Sequence, residues 1–261
     1  MERTAKPAAD ISPEEKARLI GRSFVFRDLD PDLLLRVARL SHVRRLDKGR
    51  LLFQQGDEGD ALFGVVSGLI RISVVGLGGR ELTLGLMEPG DVFGEIALLD
   101  ALPRTASASA VTDSQLLVIR RPLFLTLVEE EPRLARHLIE LLCERLRENT
   151  DRLGEFAFLS LRARLAKKLE ALAIAHGHPC ETGVRIALKL SQTDLAQMLG
   201  VTREAVNKQL RSWQRMGILQ LSGGYITVIN MDRLVACAQA EDEGFDLRPD
   251  PGLGASMKRR G

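Results

Sequence analysis

Cysteine is scarce in this chain. Cys143, Cys180 and Cys237 stand far apart, a spacing that fits neither a disulfide framework nor a set of metal ligands. A reducing cytoplasm is the expected location, and no metal is expected. Long apolar runs are missing too. None approaches the roughly 20 residues of a membrane helix, and the opening stretch MERTAKPAADISPEEK lacks the apolar centre of a secretory signal. No membrane partner is expected. Internal repeats are absent, and so is any catalytic constellation. GLGGRE (Gly76 to Glu81) follows a strand-like run but opens no helix, so it is no dinucleotide fingerprint. An enzyme is not expected.

What is present is a charge asymmetry. Residues 24–130 hold 12 Lys/Arg against 15 Asp/Glu, a net −3, whereas residues 160–240 hold 11 against 5, a net +6. A basic C-terminal third points to an anionic partner such as nucleic acid.

The patterning along the chain changes twice. Ser12-Pro13-Glu14-Glu15 reads as a helix start, and a second short helix is expected from Asp30-Pro31 to Leu40. From Val43 to Val118 short β-like runs follow one another, RLLFQQ, ALFGVVSG, LIRISVVG, ELTLGLM and QLLVI, punctuated by glycine. Such spacing argues for an antiparallel roll or barrel. After Pro122 the period becomes helical. Ala135, Ile139, Leu142, Leu146, Leu153 and Phe156 alternate by fours and threes, with Asn149 completing the series. This is the pattern of a two-stranded coiled-coil seam with one polar interruption; a plain amphipathic helix packed on its own domain is the alternative.

The stretch FGEIALLDALPRTAS, Phe93 to Ser107, is too long for a simple turn. Gly94-Glu95-Ile96-Ala97 can form one helical turn whose N–H groups converge on an anion. Arg104 can grip a phosphate with its planar fork. Glu95 would be repelled by phosphate, so a sugar hydroxyl suits it, while Ala97, Ala106 and Ala108 leave room for a ligand. Residue types alone leave two readings: a cyclic-nucleotide cradle, or a surface Glu–Arg pair in a long loop.

Farther along, SQTDLAQMLGVTREAVNKQLRSW has the layout of a helix-turn-helix. Ser191 and Thr202 sit at cap positions, and Gly200 permits the tight turn. Ala205, Val206 and Leu210 form an inner face. Arg203, Glu204, Asn207, Lys208 and Arg211 form an outer one with donors and acceptors suited to base edges. A helical hairpin with a solvated charged face would look similar in isolation.

GEIALL followed by PRTAS, with nine residues from Glu95 to Arg104, resembles the phosphate-binding cassette of cyclic-nucleotide-binding domains. GDEGDALF (Gly56 to Phe63) and Val66-Ser67-Gly68 resemble that fold's glycine-marked turns, and LGEFAFL (Leu153 to Leu159) resembles the hinge after its dimer helix. Together these are similar to the Crp/Fnr family of bacterial transcription regulators. The resemblance implies an α+β chain: a lead at 1–23, partly disordered; a cyclic-nucleotide-binding β-roll at 24–130; a long dimerisation helix at 131–159; a winged helix-turn-helix at 160–235; and a disordered tail at 236–261. It implies that Glu95 bonds the ribose 2′-hydroxyl and Arg104 the cyclic phosphate. The backbone of Gly94, Ile96, Ala97 and Thr105 would line the pocket, and the base would face Asn149 and Thr150.

Family members that answer to cyclic AMP carry a hydroxyl pair at those last two places. Asn149 departs from that, and Thr105 after the arginine resembles cGMP-preferring cassettes, so the effector is expected to be cAMP or cGMP. Ser191, Gln192, Thr202, Arg203, Glu204, Asn207 and Lys208 would face a double-stranded, inverted-repeat DNA operator, and RNA polymerase is an implied partner. The family carries Arg where Lys208 stands. A redox or haem sensor on the same scaffold would want a Cys cluster or an axial set that His42, His137, His176 and His178 do not supply. A ligand-independent regulator would not need Glu95 and Arg104.

Overall fold

The computed structural model describes residues 11–23 and 25–239. The chain divides into two compact units, one ending at Arg145 and the other starting at Leu146. Residues 1–10 of the expected lead and residues 240–261 of the expected tail lie outside the described residues.

The first unit opens with α1 (Pro13–Ile20) and α2 (Pro31–Leu40). Ser12 accepts from the Glu15 amide and Asp30 from the Asp32 amide, each with proline in the first turn, where its missing N–H costs nothing. Then come β1 (His42–Leu46), β2 (Leu51–Phe53), β3 (Ala61–Ser67), β4 (Ile70–Val75), β5 (Glu81–Met87), β6 (Val92–Phe93), α3 (Glu95–Asp100), β7 (Ser107–Ala110), β8 (Ser114–Arg120) and α4 (Arg121–Glu130). The strands form two antiparallel four-stranded sheets, ordered β1-β8-β3-β6 and β2-β7-β4-β5.

Strand β8 shows why the sequence there reads as a continuous apolar run. Leu116 and Val118 join Phe63, Phe93, Ala108 and Ile70 in a core built from both sheets. Leu117 and Ile119 point the other way, to Val37, Phe124 and Leu127 of α2 and α4. A strand buried on both faces has no polar side to alternate. Phe53, Phe63 and Phe93 form an aromatic knot in the inner core, with centroids 5.5–6.2 Å apart.

Helix α5 (Pro132–Phe158) carries an apolar stripe left open among the described residues: Ile139, Leu146 and Leu153 are 62%, 67% and 69% exposed. Asn149 and Thr150 lie on this helix, both exposed, and the Thr150 hydroxyl donates back to the Leu146 carbonyl at 2.9 Å.

The second unit continues with α6 (Leu161–His176), β9 (Gly177–Cys180), β10 (Gly183–Ile186), α7 (Gln192–Leu199), α8 (Arg203–Arg215), β11 (Leu219–Ser222), β12 (Tyr225–Val228) and α9 (Met231–Gln239). Its sheet runs β11-β12-β10-β9. Leu165, Ala166 and Leu169 of α6, Leu195 of α7, Val206, Leu210 and Trp213 of α8 and Leu234 of α9 are all buried. The expected boundary at 235 falls inside α9. Cys237 and Ala238 continue the buried face that Leu234 begins, so the helix carries on to Gln239 rather than giving way to coil at 236.

Candidate functional site

The segment from β6 to β7 is held in place by its backbone. The Gly56 amide donates to the Arg104 carbonyl at 2.9 Å, and the Arg104 amide to the Asp57 carbonyl at 2.8 Å. The Gln55 amide donates to Ser107 Oγ at 2.9 Å. Residues 104–107 are thereby zipped to the β2–β3 loop. Helix α3 has Gly94 as its N-cap at φ 85°, and no side chain caps it, so its first amides keep their donors. A Cβ at Gly94 would lie 2.7 Å from the Arg104 guanidinium, and one at Gly59 would lie 2.3 Å from the Ala97 side chain. Both glycines are fixed by close approach. At the far end of α3, Ala101 adopts φ 59°, the one positive φ outside glycine among the described residues. Backbone strain of this kind collects at functional loops.

The two charged side chains expected in the cradle are both buried, Glu95 at 3% and Arg104 at 4% exposure. Arg104 donates to the carbonyls of Gly94 and Ala61, each at 2.8 Å, and its guanidinium lies 4.3 Å from the Phe53 ring centroid. Its Nε has no partner. Burial pushes this guanidinium below its usual range, against the pull of Asp60, Glu95 and Asp57. A buried cation stacked on a ring and short of one acceptor is suited to an incoming anion. Thr105 and Ile96 are exposed, Ala97 is buried and Gly94 is half-buried.

Glu95 has a companion that the sequence did not reveal. Arg145, in α5, places its Nε 3.3 Å from Glu95 Oε1 and donates from a terminal nitrogen to the Val92 carbonyl at 2.7 Å. The only sequence signal was its position one turn before Asn149. Losing Arg145 leaves a buried carboxylate and a carbonyl unsatisfied, so Arg145→Met should cost about 1–3 kcal/mol of stability. Glu95→Gln should shrink that cost, because an amide does not demand a cation. Strict additivity in a double-mutant cycle of urea midpoints would mean the two side chains act independently.

In the second unit, α7 begins with a reciprocal cap. Ser191 Oγ accepts from the Asp194 amide, and the Asp194 carboxylate accepts from the Ser191 amide. Gly200 closes α7 at φ 63°, and the Thr202 hydroxyl accepts from the Ala205 amide to start α8. Arg164 donates to the Leu199 carbonyl at 3.0 Å and Arg233 to the Met216 carbonyl at 2.9 Å, a cation at each helix C-terminus. Val206, Leu210 and Trp213 anchor α8 from beneath. Arg203, Glu204, Lys208 and Arg211 are exposed, and Asn207 is half-buried. Glu204, Asn207, Lys208 and Arg211 line one open face with Gln214 and Arg215; these last two extend the sequence-based set. Beside α8, β11 and β12 form a wing turned by Gly223-Gly224, both at positive φ. Arg185 stacks over its Tyr225, 4.1 Å from the ring centroid. Among the described residues, no helix is long and apolar enough to cross a membrane.

Comparison with known proteins agrees with this division. Residues 43–131 match the cyclic nucleotide-binding domain, and residues 163–237 match the Crp-like helix-turn-helix domain. The chain is 38% identical over 186 residues to the cyclic AMP receptor protein of Thermus thermophilus, covering 71% of this chain and 83% of that one. It is 28% identical over 221 residues to the CRP-like cAMP-activated global transcriptional regulator of Mycobacterium tuberculosis, covering 85% of this chain and 99% of the relative. Among solved structures it is similar to CLP, the c-di-GMP responsive global regulator of Xanthomonas campestris, with TM-score 0.68, 27% identity, and coverage of 76% of this chain and 99% of that one. A cradle for an anion in a β-roll, followed by a capped helix-turn-helix with a basic outer face, thus comes with matching relatives along the chain, which belongs to the Crp/Fnr family of transcription regulators.

Proposed function

We propose that this protein is a homodimer, working in the cytoplasm, that binds an inverted-repeat DNA operator when cAMP or cGMP occupies its β-roll. The observation that carries this reading is the buried pair of Glu95 and Arg104, with Arg104 short of one acceptor. Arg104 would take the cyclic phosphate, together with the uncapped amides at the start of α3, and Glu95 would accept from the ribose hydroxyl. Glu95 already pairs with Arg145 of α5, so an occupant at Glu95 acts on the same helix whose exposed stripe supports dimerisation. Asn149 and Thr150 offer that occupant's base an amide and a hydroxyl.

Two copies of α8 related by a two-fold axis demand half-sites about one helical turn apart. Arg203 and Lys208 donate to guanine, and Glu204 accepts from cytosine N4. Ser191, Gln192 and Thr202 stand at the two helix starts, the usual place for backbone-positioning contacts.

The test is operator binding by the full-length chain, followed by anisotropy and titrated with cAMP, cGMP and c-di-GMP, the last because the Xanthomonas regulator is described as responsive to it. One mononucleotide should tighten the operator complex by about 5–150-fold, and operator should tighten that nucleotide by the same factor. Equal operator affinity with and without every nucleotide would end this reading. A response to c-di-GMP alone would overturn the assignment of the effector.

A further inference from the structure

Asn207 does not stand alone on α8. Gln192, the first residue of α7, donates from Nε2 to Asn207 Oδ1 at 3.2 Å, across the turn and in a half-buried setting. An asparagine amide has one oxygen that accepts and one nitrogen that donates. With the oxygen turned toward Gln192, the end left for the open face shared with Glu204, Lys208 and Arg211 is the amide nitrogen, whose N–H groups donate.

We propose that Gln192 is a positioning residue that makes Asn207 a donor-only reader of DNA. The idea rests on the reading of α8 as the groove helix given above. A free asparagine grips adenine with both atoms, its oxygen accepting from N6 and its nitrogen donating to N7. That two-point grip needs the oxygen aimed at the base, and Gln192 draws it toward α7 instead. Asn207 therefore selects a base-edge atom that accepts, guanine O6 or N7, thymine O4 or adenine N7, with guanine favoured because both its groove atoms accept. It discriminates against the amino groups of adenine and cytosine. Gln192 itself contributes no base contact; its effect on sequence passes through Asn207.

The inference predicts a switch rather than a loss. In Gln192→Glu the introduced carboxylate has no proton to give. The Asn207 amide then turns to donate to it, presents its oxygen to the groove, and moves the preference toward adenine or cytosine. Gln192→Ala frees the amide, so adenine becomes preferred through the two-point grip. This neutral variant covers the case in which the added charge weakens DNA binding on every sequence.

Selection from random DNA by the full-length protein, with the nucleotide that supports operator binding, reads both outcomes. The expected result is a shift of about tenfold or more in base preference at one position per half-site, in Gln192→Glu or Gln192→Ala. That shift should vanish when Asn207→Ala is added to either change. Three results would overturn the inference: a motif unchanged by both Gln192 variants, a Gln192 effect that persists in the Asn207→Ala background, or a motif unaffected by Asn207→Ala. Glu204→Ala separates this from failure of the underlying assignment. If Glu204→Ala and Asn207→Ala both leave the motif intact, this face of α8 does not read sequence through either residue, and the underlying assignment fails with the relay. If Glu204→Ala alters it while the Gln192 variants do not, only the relay is wrong.

Discussion

Arg104→Leu should weaken cyclic-nucleotide binding by more than tenfold while leaving the chain folded. A phosphate stripped of water and left without its charged partner costs about 2–5 kcal/mol, far beyond what the amides of α3 recover alone. The fold should tolerate the change for a definite reason. Arg104 is a buried cation that lacks one acceptor, so its removal relieves a desolvated charge, which counters part of the about 1–3 kcal/mol cost of carbonyls left without a donor. Leucine would keep contact with the Phe53 ring, and removal of the desolvated charge partly offsets the loss of the bonds to Gly94 and Ala61. Titration calorimetry with cAMP and cGMP, beside urea unfolding of the same variant, checks both halves. Near-normal affinity would remove Arg104 from the cradle; loss of the fold would mean its two carbonyl bonds outweigh its burial.

The second large effect belongs to the other unit. Trp213 is the only tryptophan in the chain, and it is fully buried on the inner face of α8. Trp213→Ala should cost about 3–5 kcal/mol, the range for emptying an aromatic site in a core, and should release the groove face of α8 from its support. Trp213→Phe should cost much less. The indole Nε1–H has no partner, and a phenyl ring removes that unsatisfied donor while keeping most of the packing. Far-UV circular dichroism through urea unfolding compares the variants, and wild-type tryptophan fluorescence follows this unit alone. A cost for Trp213→Phe as large as for Trp213→Ala would show that the indole donor matters more than the volume it fills.

How much could be read without coordinates depended on whether a residue's role is local. Gly94, Glu95 and Arg104 lie within one short stretch, and the resemblance of that stretch is what singled them out as candidates. The caps at Ser12, Ser191 and Thr202 are local too, and each is hydrogen-bonded as its position implies. Strand β7 was illegible because Ser107-Ala108-Ser109-Ala110 has little intrinsic strand preference; it is a strand because β2 and β4 flank it. The hairpin of β9 and β10 was hidden by Gly177 and Pro179, which read as loop. Pro179 is tolerated because β9 is the edge of its sheet. Gly183 is required there, since a Cβ would sit 2.1 Å from the Val228 carbonyl. Arg145 was missed because its partner, Glu95, belongs to another element, and no periodicity reports such a pair.

The order of strands in the roll has a consequence for how the protein is made. β1 pairs with β8, His42 opposite Val118, and β2 pairs with β7. During translation the first two strands therefore emerge long before their partners exist. Until Arg120 clears the ribosome, their open edges and the apolar faces of β3 and β4 have no lasting cover, the condition in which strands seek other chains. The segment that carries Arg104 also waits for distant partners, because its backbone is set by bonds to the β2–β3 loop about fifty residues earlier. A nascent chain stalled before β8 is a hazard to itself, whereas one stalled after Arg145 can already close its first unit while the DNA-reading half is still being synthesised.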